Sequence, residues 1–93
     1  MIATLTIQLH LPACRSLKEK RGRLKPLLAR LHREFNVSVA EMGRQDAWQD
    51  AVIACAMVNS DAGQLQRSLQ GVVKWVRANW PDGMVVDEKL ELT

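Results

Sequence analysis

The segment SLKEKRGRLKPLLARLHREFNVSVAE, residues 16–41, decides the fold. Ser16 followed three residues later by Glu19 is a capping box, so a helix is predicted to begin there. Leu17, Leu24, Leu28, Leu31 and Phe35 then fall within about one third of the helix circumference, as a core-facing stripe should. Asn36 ends the helix, and Val37–Met42 is predicted as a strand. Pro26 interrupts the pattern, because an internal proline removes a backbone hydrogen bond and crowds the carbonyl four residues back, costing ~3 kcal/mol. That residue is Gly22, which leaves room for a kinked helix. The other reading starts the helix later and places Pro26 in its first turn.

Outward from this segment the periodicities are simple. On the N-terminal side, Ala3, Leu5, Ile7, Leu9 and Leu11 alternate with Ile2, Thr4, Thr6, Gln8 and His10, which is a half-buried strand broken by Pro12-Ala13-Cys14-Arg15. On the C-terminal side, Gly43–Asp46 turns the chain into Trp48–Val58, apolar on both faces and therefore expected at a central position. Asn59-Ser60-Asp61 caps a second helix with the stripe Leu65, Leu69, Val72, Val73, Val76 and Trp80. Trp80-Pro81-Asp82-Gly83 ends it. A last strand, Met84–Leu92, is predicted with Met84, Val86, Leu90 and Leu92 inward and Val85, Asp87, Lys89 and Glu91 outward. The order βαββαβ with right-handed crossovers specifies an α+β, ferredoxin-like sandwich: one domain over residues 1–93, an antiparallel sheet ordered 4-1-3-2, both helices on one face.

Apolar residues make up 47% and charged residues 25%, the balance of an ordinary globular chain. No apolar run approaches the roughly 20 residues of a membrane span, and Met1 leads into a strand pattern without a signal peptide, so a cytoplasmic location is expected. Cys14 and Cys55 are expected to be free thiols there. Cys14, before a helix start and beside Arg15, is either a reactive thiol or an ordinary turn cysteine. His10 and His32 do not combine with Cys14 into a metal spacing. There is no Ser–His–Asp set, phosphate loop or dinucleotide fingerprint, so no enzyme, cofactor, metal or small-molecule ligand is expected.

Charge is distributed unevenly. Arg15, Lys18, Lys20, Arg21, Arg23, Lys25, Arg30 and Arg33 face Glu19 alone within residues 15–33, a local +7 in a chain of net +3. Those eight are the candidate nucleic-acid contacts; the competing reading is a solvated helix face. Lys20 and Arg21, beside the apolar stripe, are expected to lay their stems over the core edge with their heads in water. RNA-binding domains of this topology usually stack bases on aromatics of their central strands. Here strand 1 has none and strand 3 only Trp48 at its start, so phosphate and shape contacts through helices and loops are expected instead.

The sheet face away from the helices is the second candidate surface. Thr4, Thr6, Met42, Trp48, Val52, Ala54, Ala56 and Val58 project there by parity, a flat and largely apolar set that suits a homodimer interface.

SLKEKR at 16–21, REFNVSVAE at 33–41 and QDAWQDA at 45–51, with the Asn59-Ser60-Asp61 cap, resemble the YlxP-like family of small bacterial proteins of unknown function. The resemblance implies a ferredoxin-like fold and assigns no catalytic residue. The family's genes often sit beside those for transcription and translation factors, including a ribosome-binding factor, which implies structured RNA or the ribosome as partner. The expected function is an RNA- or ribosome-associated accessory factor; the alternative is a homodimeric protein-interaction module.

Overall fold

Hydrogen-bond and capping signals place six elements in the computed structural model, which describes residues 1–93. They are β1 (Ile2–His10), α1 (Leu17–Glu34), β2 (Ser38–Gly43), β3 (Asp50–Val58), α2 (Ala62–Asn79) and β4 (Met84–Leu92). All strand pairings are antiparallel and the sheet runs β2-β3-β1-β4, the expected 4-1-3-2 order read in reverse. The alternating residues Ala3, Leu5, Ile7 and Leu9 of β1 and Ala51, Ile53, Cys55 and Met57 of β3 face the helices and form one buried cluster with them. The fold is therefore the predicted two-layer sandwich.

Both helices start where their caps say. Ser16 Oγ accepts from the Glu19 N–H at 3.0 Å, and the Glu19 carboxylate turns back to the Arg15 N–H at 2.7 Å. Asp61 accepts from the N–H groups of Gly63 and Gln64. α1 runs through Pro26, so the late-start reading is excluded. Its buried stripe is rotated from the expected one: Lys20, Leu24, Leu27 and Leu31 are inside, while Leu17, Leu28 and Phe35 lie at the margins. Phe35 instead meets Trp75 of α2 edge to face, with ring centroids 6.3 Å apart.

Two strand expectations need correcting. β3 begins at Asp50, and Trp48 lies outside it, in the connection from β2. Arg44 enters that connection with φ of 57°, a left-handed conformation that ends the extended run. In β4, Gln8 of β1 pairs with Asp87 but Leu9 pairs with Val85, so Val86 is an extra, unpaired residue. Such a bulge resets the alternation. Val85 and Leu90 consequently pack on the core, while Met84 and Val86, expected inward, are 53% and 60% exposed.

The turn from α2 into β4 is close-packed. A Cβ on Gly83 would lie 2.5 Å from the Trp80 ring and 2.6 Å from the His10 carbonyl oxygen. Gly83→Ala is expected to lower unfolding free energy by about 1–3 kcal/mol through this overpacking. Pro26→Ala, at an exposed site, should raise it by up to about 3 kcal/mol by restoring the N–H of the helix interior. Urea denaturation midpoints of the two variants read both signs.

Candidate nucleic-acid interface

The basic segment divides once its side chains are placed. Lys20 is 1% exposed. Its ammonium donates to the Arg44 carbonyl at 2.6 Å and the Ala47 carbonyl at 2.8 Å, and stands 3.0 Å from Glu41 Oε2. An ammonium has three N–H groups and no acceptor; the two carbonyls take two of them, and the Glu41 carboxylate stands at ion-pair distance. Glu41 Oε2 is buried and accepts no well-angled hydrogen bond, so its charge is balanced by this ion pair. The expectation that Lys20 keeps its head in water is overturned, and Lys20 leaves the set of free cations.

Arg23 is engaged as well. Its guanidinium donates to the carbonyls of Pro12 and Asp82 at 3.0 and 3.1 Å and to Glu19 Oε1 at 2.9 Å. It thereby ties the β1–α1 turn to the α2–β4 turn, and its own carbonyl accepts from the Trp80 indole N–H. Arg30 lies 4.6 Å above the Trp75 ring, a cation–π contact that locks α1 against α2. The backbone N–H of Arg15 and the Arg23 side chain hold the Glu19 carboxyl below the usual carboxylate range.

Arg15, Lys18, Arg21, Lys25 and Arg33 remain exposed. At about 100° per residue, Lys18, Arg21 and Lys25 share one flank. Arg21 and Lys25 overlook β2: Arg21 lines a cleft of about 290 Å³ with Leu17, Gln45 and Asp46, floored by Lys20 and Glu41. A smaller hollow continues along Arg21, Leu24, Lys25 and Leu28. Three of the five exposed cations thus form a basic flank of α1 toward an edge strand, with Arg15 before the helix and Arg33 in its last turn standing apart.

The family described as "Protein of unknown function (DUF503)" matches residues 2–89. The chain belongs to the DUF503 family. Within it, the "Uncharacterized protein YlxP" of Bacillus subtilis (strain 168) is 44% identical over 61 residues, 66% of each chain. The chain thus spans about two thirds of that relative's length. Among solved structures, the "De novo designed protein Foldit4" superposes with a TM-score of 0.61 at 15% identity, covering 100% of this chain and 99% of that one. That likeness concerns the fold alone.

The cysteines do not add chemistry. Cys14 is buried, its Sγ donating to the Ser16 carbonyl at 3.5 Å, which removes the reactive-thiol alternative. Burial pushes the Cys55 thiol up to about 11. No group of three or more His, Cys, Asp or Glu side chains is arranged to hold a metal ion. No helix is long and apolar enough to cross a membrane.

The open sheet face divides as well. Met42 of β2 and Val52, Ala54, Ala56 and Val58 of β3 form its apolar half, with a shallow groove of about 240 Å³ over Ala40, Ala54 and Ala56. Across β1 the face turns polar, since Thr4, Thr6 and Gln8 stand opposite Glu91, Lys89 and Asp87 of β4. Trp48 is not part of either strand.

The Lys20 assignment is open to direct measurement. Lys20→Met should cost about 3 kcal/mol, the low end for breaking a buried pair because Glu41 keeps some access to water. Adding Glu41→Gln should recover part of that loss by removing the stranded charge. Unfolding by denaturant gives both values, and a Lys20→Met variant as stable as wild type would contradict the role.

Proposed function

We propose that this domain is a non-enzymatic accessory factor that contacts structured RNA or a ribonucleoprotein through phosphates, using the exposed cations of α1. The observation that carries the reading is the division of labour on that helix. Lys20, Arg23 and Arg30 are held by internal partners, so packing explains them. It does not explain Lys18, Arg21 and Lys25, which share one flank with no acidic partner. Surface cations so placed neutralise phosphates and release counterions, the main sequence-independent source of affinity for nucleic acid. The geometry of the sheet supports phosphate contact over base readout on its face, because β1 and β3 present Thr, Val and Ala where aromatics would be needed.

Changing Lys18, Arg21, Lys25 and Arg33 together to Gln should weaken RNA binding and flatten its dependence on salt. Each lost contact removes about 0.7–0.9 units of slope in log affinity against log salt. Arg30→Gln, which loses the Trp75 contact, should act on stability more than on the slope. Unchanged affinity in the folded quadruple variant would overturn the phosphate reading.

A second reading rests on the apolar half of the open face, where Met42 and Val58 are 63% and 70% exposed. Two copies stacked face to face through β2 and β3 would bury it on both sides at a sheet spacing of about 10 Å. Ala54→Arg should then dissociate the dimer and leave the monomer folded. Sedimentation showing a 10.5 kDa monomer at micromolar concentration would end this reading.

A further inference from the structure

Of the four aromatic side chains, three have partners within the fold. Phe35 and Trp75 pack edge to face, Trp75 also carries Arg30, and Trp80 is buried with its indole N–H on the Arg23 carbonyl. Trp48 is 54% exposed. Its backbone is nevertheless held on both sides. The Ala47 carbonyl accepts from Lys20, the Gln49 carbonyl accepts from the Leu11 N–H at 2.8 Å, and the Gln49 amide donates to the Cys14 carbonyl at 3.4 Å. A large ring is therefore presented to solvent from a backbone anchored to α1 and to the β1–α1 turn. Little backbone freedom is left to lose when a ligand packs on it.

The same anchors set its surroundings. Arg44 gives its carbonyl to Lys20 while its side chain lines a hollow with Gln8, Asp50 and Val86, and Arg15, exposed, directly follows Cys14. Arg21 lines the cleft beside Gln45 and Asp46. Of the nearby carboxylates, Glu41 is paired with Lys20, while Asp46 lines the cleft and Asp50 meets the His10 ring at 3.3 Å. Trp48 thus follows directly on the segment Gln45–Ala47 that borders the Arg21 cleft and the first turns of α1.

We infer that Trp48 is a stacking platform for an unpaired base, and that the polyanion on the α1 flank is single-stranded RNA or an unpaired segment of a folded one. The inference rests on the RNA reading above and adds strandedness to it. A duplex keeps its base faces stacked inside and offers an exposed indole only backbone. A single strand offers a π-face at every nucleotide whatever its sequence, alongside phosphates for neighbouring cations.

The test titrates the full chain into a labelled oligouridylate of about ten nucleotides and into a blunt RNA duplex of equal length, read by fluorescence anisotropy at several salt concentrations. Trp48→Ala should lose roughly 5- to 150-fold on the single strand, with its salt slope unchanged because no phosphate contact is removed. Trp48→Phe should keep most of the affinity, and neither change should alter duplex binding. Circular dichroism and a denaturation midpoint establish that both variants are folded. Single-strand affinity unaffected by Trp48→Ala overturns the stacking role, as does a loss of equal size on strand and duplex. In either case a weakened Lys18, Arg21, Lys25, Arg33 quadruple variant leaves the RNA reading standing. A wild type that binds neither RNA overturns both.

Discussion

One ammonium group fixes the relation between the two layers at the end of the molecule that matters most. Lys20 projects inward from the second turn of α1 and holds the carbonyls of Arg44 and Ala47, the two ends of the turn that leaves β2. Carbonyls in an irregular connection need donors: the Arg44 carbonyl takes one from the Ala47 N–H at 3.0 Å, and Lys20 supplies a further one to each carbonyl. The cost of desolvating the cation is offset by those dipoles and by Glu41, which reaches it from β2. A single side chain therefore positions a helix, an edge strand and a loop relative to one another. Trp48 and Arg44 hold their places because of it.

Helix α1 carries its charge in two populations that differ in physics. On the flank toward α2, Glu19, Arg23 and Arg30 act as structural connectors, bonded to turn carbonyls or laid on an indole. Directional contacts of this kind in partly dry surroundings are little affected by salt. On the opposite flank Lys18, Arg21 and Lys25 have no such partners, and their influence is felt only by what approaches. A count of charges along the sequence cannot separate the populations, since both contribute equally to the local excess.

What the sequence reveals is what depends on neighbours close in the chain. Both caps, both helices and the strand order follow from spacings of two, three and four residues. The bulge at Val86 does not, because it is created by how β4 pairs with Gln8 and Leu9, some eighty residues earlier. Without it, Met84 and Val86 keep the parity of Leu90 and appear inward. Lys20 was hidden for a different reason, since a lysine beside an apolar stripe ordinarily reaches water. A clue was present nonetheless. Val37, Val39 and Glu41 share the inward parity of β2, and a carboxylate at a core-facing position calls for a cation. Lys20 also fits the series Leu24, Leu27 and Leu31 at helical spacing, as no other basic residue does. An aromatic preceding an apolar run reads as strand, which extends β3 back to Trp48 in the sequence, whereas the left-handed Arg44 and the pinned carbonyls keep the chain irregular until Asp50.

The placement of the free cations also bears on how the sheet edges are protected. β4 carries Asp87, Glu88, Lys89 and Glu91 along one edge together with its bulge, devices that discourage pairing with another strand. β2, at the other edge, has a single charged side chain, and that one is turned inward and neutralised by Lys20. The flank of α1 above β2 supplies what the strand lacks: a second copy approaching edge to edge would bring two sets of Lys18, Arg21 and Lys25 together. Those three residues span about 10 Å along the helix axis, close to the screening length at physiological salt. At that separation they act on an approaching charge as one patch, repelling an identical edge and attracting a phosphate backbone by the same field.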